Sequence, residues 1–323
     1  MTDGRSCPLA YRYAPETLER DPVPVEADVV YVVGGLYGNL DALDAIETMA
    51  EREVAAGRRV QLIFNGDFNW FNASDDLFEA VNRRVLAHTA QLGNVEYELA
   101  NPSPGAGCGC AYPDFVDQGV VDRSNRIMER LKTVAARHPT LTRALADLPR
   151  YRCLFFGGLK ILVLHGDPES LAGWGLAHEA FAAGNRTELD RWFQATGVDG
   201  IVCTHTCLPV LWQGQVHDQG QPRPRWVSNN GSAGMGNLKD DPRGLVVRLS
   251  PLPPLDEAVV AMTCEAPGGP LHLGLVPVAF DSGRWLSRFD RLWPAGSDAA
   301  VSYRARLACG TRLSANDVRF PAT

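Results

Sequence analysis

Residues 28–43 read DVVYVVGGLYGNLDAL. The run Val29 to Val33 is β-branched or aromatic throughout, the pattern of a strand buried on both faces. Gly34 and Gly35 end it. Leu40, Leu43, Ile46 and Met49 then recur at spacing three, one face of a helix that Gly57 closes as its C-cap. Strand, glycine loop and helix together make an α/β unit with a polar loop at the strand's carboxyl end, where open α/β folds gather their ligands.

The unit repeats in kind along the chain. VQLIFNGD (60–67) is a second buried strand, LFEAVNRRVLAHTA (77–90) a helix, and LGNVEYE (92–98) a short strand and turn. NPSPGAGCGCAYPDF (101–115) is a Gly/Pro-rich loop, followed by helices over 123–138 and 141–148. Three more strands run into polar loops: LKILVLHGD (159–167), DGIVCTHTCLPV (199–210) and RWVSNNGSAGMG (225–236). LDRWFQATG (189–197) reads as a helix between them. These spans predict an irregular lead-in over 1–27 and one α/β domain over 28–250 with a loop and helical stretch near 99–150. Residues 251–323 read as a C-terminal extension of the same domain.

Composition narrows the function. The chain has 323 residues, 45% hydrophobic and 21% charged, with a net charge of −7. That acidic balance argues against nucleic acid as a partner, and no apolar run approaches the roughly 20 residues that span a bilayer. The N-terminal residues lack a signal-peptide pattern, so a cytoplasmic location is expected. The eight cysteines are then expected as reduced thiols or ligands rather than a disulfide framework. Cys7, Cys153, Cys203, Cys264 and Cys309 stand without partner chemistry.

The strand-end positions collect Asp67, Asn94, His165 and His205. Two imidazoles, a carboxylate and an amide suit a divalent ion such as iron, manganese or zinc. The order of the motifs, GD (66–67), GN (93–94), LHGD (164–167), THTC (204–207) and NNGSAGM (229–235), resembles the calcineurin-like metallophosphoesterase superfamily, in particular its small prokaryotic phosphodiesterase and phosphatase branch. The resemblance implies a four-layer αββα sandwich with two mixed β-sheets. It also implies two metals about 3.5–4 Å apart bridged by the carboxylate matched here by Asp67. One metal's ligands persist as Asn94, His165 and His205. The other's are replaced by Gly35, Tyr37 and Cys207, and the family's catalytic histidine by Val95, leaving Glu96 nearby.

One metal per chain is therefore expected, in a hydrolase of a small phosphorylated molecule, with Glu96, Tyr37 and Cys207 as candidate catalytic groups. Asn230, Gly231, Ser232 and Arg123 are candidate phosphate contacts. Cys108, Cys110 and Cys207 are expected to converge on a soft, thiolate-rich site that could take a second metal. Two other classes fit the same residues. Asp67, His165 and His205 form the two-histidine, one-carboxylate set of mononuclear iron enzymes with redox or lyase chemistry, acting on a thiol-reactive substrate. A catalytically silent binding module is the third.

Overall fold

The computed structural model describes residues 3–218 and 221–321. The first half runs β1 (Val23–Pro24), β2 (Val29–Val33), α1 (Leu40–Ala55), β3 (Val60–Asn65), α2 (Asp75–Val85), β4 (Thr89–Gln91), α3 (Asn94–Ala100), α4 (Gln118–Ala135) and α5 (Pro139–Ala146). Then come β5 (Tyr151–Phe156), β6 (Leu159–Leu164), α6 (His178–Ala182), α7 (Arg186–Thr196), β7 (Gly200–Cys203), β8 (Pro209–Asp218) and β9 (Gln221–Asn230). The chain finishes with β10 (Gly244–Ser250), β11 (Val260–Cys264), β12 (Leu271–Val278), α8 (Ser282–Leu292), α9 (Asp298–Cys309), α10 (Ala315–Val318) and β13 (Arg319–Phe320).

The strands form two sheets, ordered β1-β5-β6-β7-β9-β8-β13 and β11-β12-β10-β2-β3-β4. Both are mixed. β2, β3 and β4 run parallel in one, β6, β7 and β9 in the other, and antiparallel strands such as β10 and β8 complete them. Because side chains alternate across a strand, each central strand feeds two cores. Val30 and Val32 of β2 meet Ile161, Val163 and Val202 between the sheets. Val29, Tyr31 and Val33 face the helices instead, beside Leu43, Ile46, Phe78 and Trp285. On the far side, Leu162 and Leu164 of β6 pack with Leu189, Trp192 and Phe193 of α7. The result is the four-layer αββα sandwich that the resemblance implies.

Local chemistry sets the ends of the helices. Asn39 caps α1 by accepting from Ala42 N at 3.0 Å, and Ser74 caps α2 by accepting from Leu77 N. Asp75 and Asp76 open α2 and Arg83 and Arg84 close it, each charge suiting its end of the helix dipole. Among the described residues no helix is long and apolar enough to cross a membrane.

Two boundaries differ from the sequence reading. The helix expected over 77–90 stops at Val85, and Thr89–Gln91 become β4 beside β3. Gln91 is the reason: buried, it donates from Nε2 to Asn65 Oδ1 at 2.6 Å and to Val163 O at 3.1 Å, linking the two sheets. The expected strand and turn over 92–98 is instead α3, whose first turn closes when Glu96 accepts from Gly93 N. Beyond residue 250, β12 pairs with β10 along its whole length, and β13 edges the other sheet.

A buried ion pair ties α1 to the sheet. Arg248 Nε lies 2.8 Å from Glu53 Oε1 and Arg58 Nη1 2.6 Å from Glu53 Oε2, with Tyr31 Oη donating to Glu53 at 3.2 Å. Burial opposes the Glu53 charge, but Arg248 and Arg58 outweigh it and hold the carboxyl below its usual range. Removing one member leaves a buried charge short of its partner. Arg248→Met is expected to cost about 3 kcal/mol in urea unfolding, the low end for such a break because Arg58 remains. A cost under about 1 kcal/mol would show that the pair contributes little.

Candidate metal centre

The carboxyl ends of β2, β3, β6, β7 and β9 meet at one end of the sandwich, and backbone hydrogen bonds knit their loops together. Gly35 N donates to Gly66 O, Tyr37 N to Asp67 O, Ala233 N to Gly34 O and His205 N to His165 O, all at 2.9–3.2 Å. Room is scarce. A Cβ on Gly66 would press against the backbone of Gly93, and one on Gly93 against the Asp67 carboxylate, so both positions require glycine. Asp67, Tyr37 and Cys207 hold left-handed backbone (φ 54°, 53° and 62°), a cost that recurs at functional sites.

Four lone-pair atoms converge here. His165 Nδ1 faces the Asn65 carbonyl at 2.9 Å, which places its proton there and leaves Nε2 bare. Around that Nε2 lie Asn94 Oδ1 at 3.1 Å, His205 Nδ1 at 3.2 Å and Asp67 Oδ2 at 3.4 Å. His205 Nε2 in turn faces the Cys110 carbonyl at 3.1 Å, so its bare nitrogen is the Nδ1 turned toward His165. Asn94 Nδ2 donates to Cys108 O at 3.1 Å, which aims its oxygen inward. With both imidazoles neutral, none of the four inward atoms carries a hydrogen to offer the others. Acceptors packed this closely share a cation, a metal ion or a proton on His165 Nε2, and the ligand atoms of Asp67, His165 and His205 all lie within 4.8 Å of one another. The residues fit a divalent metal.

The electrostatics favour a positive charge at His165 beside the Asp67 carboxylate, the place a bound cation would take. Burial opposes the Asp67 charge, but the two imidazoles pull its carboxyl below the usual range. Burial also disfavours the His165 imidazolium, yet Asp67 outweighs it and raises that pKa. Burial and the neighbouring His165 push His205 down to about 4, so it is held neutral and ready to ligate.

No protein-family model matches the chain, and no curated protein does. Solved structures do. A metallophosphoesterase from Sphaerobacter thermophilus is 16% identical, with a TM-score of 0.52 over 88% of this chain and 100% of its own. A hypothetical protein from Pyrococcus horikoshii OT3 is 15% identical, also at 0.52, over 88% of this chain and 99% of its own. The chain has the metallophosphoesterase fold.

At Gly35, Tyr37 and Cys207, where the resemblance implies the ligands of a second metal, the side chains pack against one another. The Tyr37 ring lies over Gly35, where a Cβ would come within 2.9 Å of ring carbons Cε2 and Cζ. Tyr37 Oη reaches Cys207 Sγ at 2.7 Å. Burial, then Cys207, raises the Tyr37 pKa well above its ordinary value, and burial raises Cys207 as well. The pair is neutral. Burial thus disfavours the thiolate expected at Cys207.

Other expected site residues have different tasks. Glu96 is fully buried behind Asp67 and accepts from the backbone N–H groups of Asp67, Phe68, Asn69 and Gly93 at 2.7–3.2 Å. Burial and the Asp67 charge push it up to about 7, but its oxygens are committed to the loop, so it is a clamp rather than the proton donor expected. Cys108 and Cys110 are disulfide-bonded to each other, so they do not join Cys207 in the expected thiolate site. Their loop still folds over the centre, with Cys110 Sγ 3.8 Å from Asn94 Nδ2.

The expected phosphate contacts also turn away. Asn230 Nδ2 donates to Gly34 O and Leu245 O, and Ser232 Oγ donates to Gly35 O, fastening the first loop, while Gly231 O accepts from Thr204 Oγ1 of the loop after β7. Arg123 does not line the cavity; it donates from Nε to Ser302 Oγ at 2.7 Å, joining α4 to α9. The sequence reading missed the aromatic wall beside Asp67, Asn94 and His205: Trp70, Tyr112, Trp174 and Tyr303. Trp70 sits three residues after Asp67 in the same loop, the one available clue.

Proposed function

We propose that this chain is a single-metal phosphoester hydrolase acting on a small phosphorylated molecule, with iron, manganese or zinc held by Asp67, Asn94, His165 and His205. The observation that carries the reading is the closed set of inward lone pairs at the strand ends, opening onto a cavity. A divalent ion there supplies Lewis acidity toward a phosphoryl oxygen and lowers the pKa of water. The protein's own groups do the rest. Asn65 and the Cys110 carbonyl fix the two tautomers, Glu96 holds the Asp67 loop, and Val95 and Tyr37 close the walls.

No side chain on the cavity wall is placed as a strong general acid. Val95 has no proton to give, and Tyr37 binds its proton more tightly than free tyrosine. General-acid help is commonly worth about 10²–10⁴-fold. Turnover of p-nitrophenyl phosphate is therefore expected to lie well below that of two-metal enzymes and to vanish in Asp67→Ala. Ordinary enzymatic turnover that survives Asp67→Ala would refute the assignment. The Asp67, His165 and His205 set also matches mononuclear iron chemistry. Stoichiometric iron with dioxygen consumption and no ester hydrolysis would select that reading instead.

A further inference from the structure

The cavity in front of the metal ligands measures about 160 Å³. Its walls beyond the ligands are mainly rings: Tyr37, Trp70, Tyr112, Trp174 and Tyr303. Trp174 meets His205 edge-on with centroids 5.5 Å apart, and its Nε1 donates to Cys110 O at 2.9 Å, which fixes the indole plane. Trp70 meets Tyr303 edge-on at 6.3 Å. Tyr112 Oη is 3.0 Å from Ser124 Oγ, so its ring, too, is anchored from behind. Burial raises the pKa of both Tyr112 and Tyr303, leaving them neutral.

Two properties follow. No Lys or Arg is among the described residues that line the cavity, and Arg306, behind the wall, spends its Nη2 on the Cys207 carbonyl, so an uncharged group suits the cavity beyond the metal ligands better than a second phosphate or a carboxylate. Anchored rings at this spacing accept another ring edge-on or offset-stacked, and an apolar cavity of about 150 Å³ is known to hold benzene. The chemistry points the same way. Without a strong acid, the leaving oxygen must depart as a stable anion, and a phenol, with a pKa near 10 as in tyrosine, does so far more readily than an alkyl alcohol.

We propose that this cavity holds an aryl group, making the substrate the phosphate monoester of a phenol. This rests on the hydrolase reading above. In the reaction, the water oxygen forms a new bond to phosphorus and the bond from phosphorus to the aryl oxygen breaks. The aryl oxygen leaves with the electron pair and takes up a proton, while water's proton passes to solvent. The products are a phenol and inorganic phosphate.

The test separates binding from turnover. With protein loaded with one equivalent of Mn²⁺, phenylphosphonate and methylphosphonate, neither hydrolysable, are titrated against tryptophan fluorescence. Phenylphosphonate is expected to bind at least tenfold more tightly, and phenyl phosphate to exceed glycerol 2-phosphate at least a hundredfold in kcat/KM. Trp174→Ala should lose the phenyl preference yet keep its manganese. Trp70→Leu serves as the second variant should Trp174→Ala fail to fold. Equal binding of the two phosphonates would overturn the aryl cavity even if alkyl esters were hydrolysed. Preferential phenylphosphonate binding with no turnover of either ester would support the cavity and overturn the hydrolase reading.

Discussion

His165→Ala protein is expected to purify without its metal, falling from close to one equivalent per chain to near none by elemental analysis. His165 Nε2 is the hub of the centre, within 3.4 Å of the inward atoms of Asn94, His205 and Asp67. Loss of an outer-shell partner commonly costs about 10–100-fold in metal affinity, and loss of a ligand costs more. The variant should still fold, because removing His165 also relieves the crowding of unshared lone pairs. His205→Ala should behave alike. Metal retained at full stoichiometry in both variants would place the ion elsewhere.

The second large effect is a gain. Gly35→Asp alone is expected to destabilise the protein, because its Cβ would meet the Tyr37 ring at 2.9 Å and the backbone there has φ 63°. With Tyr37→His and Cys207→His added, the ring is gone and a carboxylate and two imidazoles face Asp67 in the arrangement the family resemblance implies for a second metal. The triple variant should bind about two equivalents of manganese and hydrolyse p-nitrophenyl phosphate faster than the parent, because a second ion stabilises the attacking oxygen as well. If the triple variant folds but binds only one equivalent, the neutral Tyr37–Cys207 pair is not what keeps the second ion out.

The parts of the site that were legible in the sequence share a property. Asp67, His165 and His205 each come at or within two residues of the end of a buried strand, and strand periodicity reports burial and direction from local residues alone. Knowing the strand ends was enough to group the ligands, since parallel strands deliver their carboxyl ends to one edge. The short elements were harder. Residues 89–98 carry too few apolar positions to separate a strand from a helical turn, and Gln91 and Glu96 decided the matter through buried contacts to distant backbone.

From the sequence came the alternation of strands and helices and the grouping of Asp67, Asn94, His165 and His205 at strand ends, while the two sheets and the replaced set at Gly35, Tyr37 and Cys207 came from the family resemblance. The alternation and the strand ends follow from residue type and local spacing; the rest follows from the order in which the motifs recur. The tertiary structure decided what stands in place of the lost ligands. Tyr37 and Cys207 are 170 residues apart yet touch, Cys108 pairs with Cys110 instead of Cys207, and Glu96 faces backbone rather than substrate. Rings from 70, 112, 174 and 303 close a common wall. No periodicity encodes such meetings. They arise when loops from separate strands are pressed together, and which side chain then fills a gap depends on volume and hydrogen-bond partners that only the assembled fold supplies.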